Sequence, residues 1–81
     1  MRAFFTPHFQ RSYAILPAAV QRAFEKQLAL LLENLRHPSL RAKKYNDRTG
    51  VWQARVTRSY RFYFTIEGDA YILHEIIAHP K

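Results

Sequence analysis

The sequence predicts an α+β fold with one N-terminal strand, a helical hairpin and three further strands. The first half of the chain repeats apolar residues at intervals of three and four, which is the spacing of a helix with one buried side. The second half alternates apolar and polar residues, as half-buried strands do. The 81 residues, of which 48% are hydrophobic, predict a single domain, 1–81, around one core.

The N-terminal half predicts a short strand followed by two helices. Ala3-Phe4-Phe5 is the strand, and Thr6-Pro7 is a helix start, with Thr6 as the N-cap and Pro7 in the first turn. The second helix is expected to run from about Pro17 to Arg36, where His37-Pro38 ends it. Apolar residues at helical spacing form its buried stripe: Val20, Phe24, Leu28, Leu31 and Leu35.

The C-terminal half predicts a polar connection and then three strands. Ser39 to Gly50 is the connection, and its last four residues are expected to form a turn. Three strands follow, at about Val51–Thr57, Tyr60–Ile66 and Ala70–His79, with a hairpin turn at Glu67-Gly68-Asp69.

Alternation in the first two of these strands predicts how they pair. Their apolar residues must meet one core: Trp52, Ala54, Val56, Tyr60, Phe62, Phe64 and Ile66. A common core face requires an odd-length turn, Thr57-Arg58-Ser59, because a two-residue loop would put one set outward. Arg55 then lies directly across from Arg61, and Gln53 lies across from Tyr63, on the opposite face.

Two arginines side by side repel each other, so folding alone does not explain this pair. A negatively charged ligand would relieve the repulsion, and so would a nearby carboxylate. Glu75 is expected opposite Arg61 if Ile66 pairs with Ala70. Two interpretations therefore stand, an anion-binding face and a solvated face with an Arg61–Glu75 ion pair.

The charge balance favours a polyanionic partner. Thirteen Lys and Arg against six Asp and Glu give a formal charge of +7, which suits nucleic acid, an acidic protein or an anionic membrane surface. A merely soluble basic surface is the plain alternative. The sequence has no cysteine, which fits a reducing cytoplasm, and its four histidines show no ligand spacing, so no metal and no cofactor is expected. No signal-peptide run or membrane-length apolar segment is found in it.

Nearly the whole chain resembles the RelE/ParE superfamily of bacterial toxins. The residues that carry the resemblance are Phe9, Leu16-Pro17, His37 to Lys44, Val51 to Val56, Tyr60 to Phe64, Gly68-Asp69 and the terminal His79-Pro80-Lys81. The ending is similar to that of a short subgroup often labelled RelE or StbE. The resemblance implies two helices packed on a twisted, mainly antiparallel four-stranded sheet.

The resemblance also implies a toxin of a type II toxin–antitoxin system. RNase members of the superfamily cleave mRNA in the ribosomal A site, ParE members poison DNA gyrase, and a neighbouring antitoxin neutralises both kinds. We therefore expect a cytoplasmic, ribosome-dependent and metal-independent mRNA endonuclease. Its expected partners are mRNA on the ribosome and an antitoxin with an acidic toxin-binding segment, and no homo-oligomer is required. A non-enzymatic gyrase inhibitor of the ParE type is the alternative, and a plain nucleic-acid-binding module is a third.

Cleavage through the ribose 2′-hydroxyl needs a base, an acid and cations for the developing phosphorane charge. Arg61 matches the family arginine that holds the scissile phosphate, and Arg55 occupies a position that is Lys or Arg in the RNases. His79 is the candidate acid or base, and Glu75 is a candidate to orient Arg61 or accept a proton. The expected RNA-binding residues are Lys43, Lys44, Arg41, Arg58, Lys81 and, as a stacking aromatic, Tyr63. The catalytic Glu that some members carry near Lys43 and Lys44, and the final tyrosine of several others, have no counterpart in this sequence.

Overall fold

The computed structural model describes residues 1–79, which form two helices packed on a five-stranded sheet. In chain order the elements are β1 (Arg2–Phe5), α1 (Pro7–Ala14), α2 (Ala18–Glu33), a 3₁₀ helix (Pro38–Leu40), β2 (Lys43–Asn46), β3 (Val51–Arg55), β4 (Tyr60–Glu67) and β5 (Ala70–Ala78). The strand order is β1-β5-β4-β3-β2, with β1 parallel to β5 and the other neighbours antiparallel. The predicted α+β class and mainly antiparallel sheet are confirmed, although the sheet has five strands rather than four.

The predicted start of α1 is confirmed in detail. The Thr6 side chain accepts a hydrogen bond from the Phe9 backbone N–H at 3.0 Å, and Pro7 occupies the first turn. β1 pairs with β5 only as far as Leu73, so within residues 1–79 the second half of β5 has no neighbouring strand on the β1 side, and α1 begins there. The helix then packs beside that half of β5.

The core lies between α2 and one face of the sheet. Phe24 of α2 meets Phe62 of β4 edge-on, with ring centroids 5.3 Å apart. The largest fully buried side chains are Phe9, Phe24, Phe62, Phe64, Leu31, Leu40, Leu73 and Ile76. Burying eight side chains of this size contributes roughly 1.5–3 kcal/mol each before chain entropy is subtracted. No helix within residues 1–79 has the length and apolarity that a membrane crossing requires.

Helix α2 ends three residues earlier than its apolar stripe predicts, at Glu33 rather than Arg36. Asn34 adopts an extended conformation, and its side-chain oxygen accepts a hydrogen bond from the Arg36 N–H at 2.9 Å. Its backbone carbonyl accepts another from the His37 N–H. Asparagine competes with the helix through such local bonds, so the chain turns here although Leu35 still packs against the core.

Strand β2 is the element that apolar periodicity could not reveal. All four of its residues are exposed, so no apolar alternation marks it. It exists because it pairs with the edge of β3, with a register shift between Lys44 and Asn46.

Candidate functional site

The face of the sheet turned away from α2, here called the outer face, carries the two paired arginines. The predicted register of β3 and β4 is confirmed: Arg55 pairs with Arg61, and Gln53 pairs with Tyr63. Lys43 of β2 extends the same row because it pairs with Gln53. Like charges therefore stand opposite each other on neighbouring strands, an arrangement that costs folding free energy.

Arg61 is anchored by the turn between β3 and β4. Its Nη1 donates to the carbonyl of Thr57 at 2.6 Å and to that of Tyr60 at 2.9 Å, with the Arg58 carbonyl at 3.4 Å. Partial burial, together with the positive charges of Arg55 and Arg41, lowers the pKa of Arg61 from its ordinary value. Within residues 1–79, its Nε and Nη2 make no hydrogen bond. The guanidinium is thus held at one corner, with its other edge available to an oxyanion.

A third arginine, Arg41, reaches the same region from the loop after the 3₁₀ helix. Its φ of 47° makes it the one non-glycine residue with a positive φ among residues 1–79. Its backbone N–H donates to the carbonyl of Pro38 at 3.2 Å and so ends the 3₁₀ helix. An arginine in the left-handed region is unfavourable, and such residues persist only where the surrounding structure imposes them.

An aromatic pair lies next to the arginines on the outer face. Gln53, only 7% exposed, donates its side-chain N–H to the Tyr63 hydroxyl at 2.9 Å. Tyr45 meets the Tyr63 ring edge-on at 5.1 Å and is itself 61% exposed. The hydrogen bond holds Tyr63 in place, and the two rings offer a surface on which a base can stack.

Lys43 and Lys44, which the sequence groups as RNA-binding residues, lie on opposite faces of the sheet. Lys43 belongs to the outer face, whereas Lys44 pairs with Trp52 on the side of the helices, its Nζ 5.7 Å from the indole ring. Successive residues of a strand point to opposite sides, so the two cannot serve one face. Arg58 is exposed at the β3–β4 turn, and its carbonyl is within reach of Arg61.

Glu75 does not lie opposite Arg61, so that prediction is wrong. The hairpin turn contains two residues, Gly68 and Asp69, and a register shift past Tyr63 adds one more residue to β5. Glu75 consequently pairs with Tyr63, and Ile77 stands opposite Arg61.

The Glu75 carboxylate is directed to α1 instead. Its Oε2 lies 2.5 Å from Nε2 of His8 in a hydrogen bond, and its Oε1 accepts from the Ile76 N–H at 3.0 Å. Burial raises its pKa, but hydrogen bonds from His8, Ser12 and the Ile76 backbone outweigh burial and hold the pKa below its ordinary value. The carboxylate therefore joins α1 to β5, and within residues 1–79 no salt bridge compensates the charge of the arginine pair.

His79 ends the described chain beside the turn that anchors Arg61. Its backbone N–H donates to the Ser59 carbonyl at 2.6 Å, and its side chain is exposed. The predicted RNA-binding residue Lys81 lies outside the described residues.

Sequence reasoning missed two residues of α2, Lys26 and Gln27. Both line a cavity of about 530 Å³ together with Ser39, Arg41 and Arg55. The available signal was positional: Gln27 lies three residues after Phe24 and four before Leu31, on the buried stripe, where a polar side chain requires an explanation. Nothing in the sequence marked Lys26 as a site residue, because lysine is common on the solvent-exposed side of a helix.

No protein-family model matches the sequence, and no curated protein matches it. Solved structures match over almost the whole chain. A YoeB/ParE toxin from Agrobacterium tumefaciens is 14% identical, with a TM-score of 0.83, over 99% of this chain and 100% of that one. The isolated RelE toxin of E. coli is 14% identical with a TM-score of 0.79, covering 99% of this chain and 85% of the toxin. A RelB-RelE antitoxin-toxin complex from Methanococcus jannaschii is 16% identical with a TM-score of 0.74, over 93% and 88% of the two chains. At these identities the likeness establishes a shared fold.

Proposed function

We propose that this chain, which has the fold of the RelE and YoeB toxins, is the toxin of a type II toxin–antitoxin system. We propose further that it is a ribosome-dependent mRNA endonuclease acting through the ribose 2′-hydroxyl. The observation that carries the proposal is the pairing of Arg55 with Arg61 on the outer face, beside the aromatic ring of Tyr63. Guanidinium groups and an adjacent aromatic ring are what a strand of phosphodiesters and unstacked bases requires.

Arg61 has the geometry of a charge stabiliser. In-line attack by the 2′-hydroxyl places extra negative charge on the phosphorane oxygens, and donors held in position before the reaction stabilise that charge most strongly. The bonds from Nη1 to Thr57 and Tyr60 hold the guanidinium, while Nε and Nη2 remain for the phosphate. Arg55, across the strand pair, adds a second positive charge to the same phosphate or to its neighbour.

His79 is the proposed acid or base. Its backbone bond to Ser59 brings it to the turn that anchors Arg61, and an imidazole can either donate or accept a proton. Glu75 is not assigned the orienting role, because its carboxylate is engaged by α1. Lys43 and Arg58 are proposed to hold flanking phosphates from the outer face and the turn.

The proposed protein partner is a cognate antitoxin with an acidic toxin-binding segment. Proteins of the same fold are seen with antitoxins, RelE with RelB in Methanococcus jannaschii and YoeB with YefM in Staphylococcus aureus. A formal charge of +7 favours an acidic segment, and covering the paired arginines would block mRNA at the same time. We place this function in the cytoplasm, where translating ribosomes are.

A translation assay with purified protein and mapping of mRNA 5′ ends tests the nuclease. New 5′ ends within the reading frame are expected, and Arg61→Ala should lower cleavage roughly 100- to 1,000-fold, the cost of one charge-stabilising donor. Arg11→Ala is the matched control, because it removes the same charge from an exposed position on α1. Intact mRNA with the unsubstituted protein and with both variants would refute the proposed nuclease activity.

Gyrase inhibition is the second candidate, favoured by one observation. With Glu75 engaged by His8, a carboxylate base is missing from the Arg55–Arg61 pair within residues 1–79. A non-enzymatic toxin needs no such base. If the purified protein prevents gyrase from supercoiling DNA and leaves mRNA intact, it is a gyrase inhibitor.

A further inference from the structure

A basic pocket lies at the rim of the sheet, where β3 ends next to α2. Lys26 of α2, Arg41 of the loop and Arg55 of β3 line this cavity of about 530 Å³, and none of the lining residues within 1–79 is acidic. Arg55, at the end of its strand, belongs both to this pocket and to the pair with Arg61. Arg55 therefore links the basic pocket to the arginine pair.

The wall of the basic pocket is held by a buried glutamine. Gln27 is 5% exposed, and its side-chain N–H groups donate to the carbonyls of Ser39 at 3.1 Å and Arg55 at 2.8 Å. Its carbonyl accepts from the Ser39 hydroxyl at 3.1 Å. These bonds join α2, the 3₁₀ helix and β3, the three segments that bring the cations together. A fully satisfied buried network of this kind is rigid.

The arrangement works against folding in two ways. Three basic residues from separate elements line one cavity, and Arg41 takes a left-handed backbone conformation. The salt bridges within residues 1–79, Arg2 with Asp69 and His8 with Glu75, both lie outside the pocket. Burial and the charges of Arg55 and Arg41 lower the pKa of Arg61, which agrees with this crowding of positive charge. A bound anion would neutralise the repulsion among these basic side chains, so no carboxylate of the protein would be needed beside them.

We propose that the basic pocket binds a phosphate group of single-stranded nucleic acid, as a subsite next to Arg61. Lys26 and Arg41 contact the phosphate, Arg55 is shared with the arginine pair, and Gln27 is a positioning residue. The inference deepens the proposed function by assigning a second phosphate of the same strand to residues of α2 and the loop. Only the identification of that strand as mRNA rests on the proposed function.

The test is the salt dependence of binding to a fluorescent 2′-O-methyl oligoribonucleotide, which lacks the attacking hydroxyl and so stays intact. Each lost phosphate contact lowers the slope of log K against log salt by about 0.7 for a single strand. Lys26→Ala is expected to lower the slope by that amount and to weaken binding about threefold to tenfold at low salt. Arg11→Ala, with the same charge change on α1, should leave the slope unchanged.

Gln27→Leu tests the positioning role through coupling. If Gln27 acts by holding the pocket wall, Lys26→Ala should have little further effect on the slope once Gln27 is replaced. A purely structural role would leave the effect of Lys26→Ala intact, and that result would overturn the positioning assignment. Urea unfolding checks that Gln27→Leu still folds. If Gln27→Leu does not fold, Lys26→Ala alone tests whether the basic pocket binds phosphate.

Two further probes identify the anion. Inorganic phosphate should shift the backbone amide resonance of Arg41, and Lys26→Ala should abolish the shift. An equal change of slope in Lys26→Ala and Arg11→Ala would overturn the subsite. So would a hexaglutamate peptide that displaced the oligonucleotide as well as hexauridylate does, because the pocket would then fit an acidic protein. These outcomes are independent of mRNA cleavage. If the protein cleaves mRNA but Lys26→Ala leaves the salt slope unchanged, the subsite is refuted and the nuclease is not. If the protein does not cleave mRNA but Lys26→Ala lowers the slope, the nuclease is refuted and the subsite stands.

Discussion

Replacing Arg55 by alanine is expected to stabilise the fold, whereas replacing Arg61 by alanine should destabilise it. The two residues face each other on neighbouring strands. Within residues 1–79, the Arg55 side chain makes no hydrogen bond or salt bridge, so its removal mainly relieves repulsion. Arg61 holds the β3–β4 turn through its bonds to Thr57 and Tyr60, so its removal also releases that turn.

The magnitudes follow from these contacts. A cross-strand pair contributes roughly 0.2–1 kcal/mol, which is the expected gain for Arg55→Ala. A hydrogen bond from a charged donor is worth about 1.5–3 kcal/mol, but the bonds of Arg61 share one nitrogen and are partly exposed to screening water. After subtracting the relieved repulsion, Arg61→Ala should cost about 1–2 kcal/mol. For a domain of this size, each kcal/mol shifts the melting temperature by roughly 4–8 °C.

Urea unfolding of the two single variants, their double variant and Arg11→Ala measures these energies. The midpoints should move in opposite directions at constant m-value, and the double-mutant cycle should report a repulsive coupling. The gain in Arg55→Ala should shrink as salt is added, because the Debye length falls to about 3 Å at 1 M. Arg11→Ala corrects for the general benefit of lowering the net charge. A loss of more than 1 kcal/mol in Arg55→Ala would refute the reasoning, because the pair would then support the fold.

Three further outcomes are expected. Arg41→Gly should be about 1 kcal/mol more stable than Arg41→Ala in chemical denaturation, because glycine tolerates the φ of 47° that alanine does not; equal stabilities would mean that the loop relaxes. Burial, followed by the hydrogen bond and the charge of Glu25, raises the pKa of Tyr13 to about 12. The folded state therefore binds this proton more tightly, and stability should fall as pH rises from 10 towards 12; melting curves of Tyr13→Phe should lack that part of the loss. The pKa of Glu75 is held below its ordinary 4.5 by hydrogen bonds that outweigh burial. Its contribution to folding stability is therefore present above about pH 5 and lost as pH falls through the folded pKa. Glu75→Gln should reduce the loss of stability at acid pH, and an unchanged loss would show that the hydrogen bond to His8 stabilises the fold only weakly.

Two predictions, one from strand alternation and one from helix capping, were confirmed. The pairing of Arg55 with Arg61 followed from two alternating apolar strands and a three-residue turn, because only one register puts both apolar sets on the same face. The start of α1 followed from Thr6-Pro7, because capping is a local interaction between residues three apart. Both features are decided by neighbours in sequence or by the one requirement of a common core.

Features that rested on distant partners were wrong or missed. The position of Glu75 depended on one added residue in β5, and nothing in the local pattern reveals a bulge. Strand β2 has no apolar alternation and is held at the edge of the sheet by its pairing with β3. The separation of Lys43 from Lys44 follows from that unforeseen strand, because alternation applies only once the segment is extended.

The amino-acid order by itself determined the helix start, the buried stripe and the opposed arginines, since each follows from a short-range rule or from burying apolar side chains together. Only tertiary structure decided which charges come together. Gln27 joins segments 12 and 28 residues away, bringing Arg41 and Arg55 to one pocket with Lys26. His8, 67 residues from Glu75 in the chain, draws that carboxylate to α1. Electrostatic energy depends on distances in space, and a linear pattern of charges does not contain those distances.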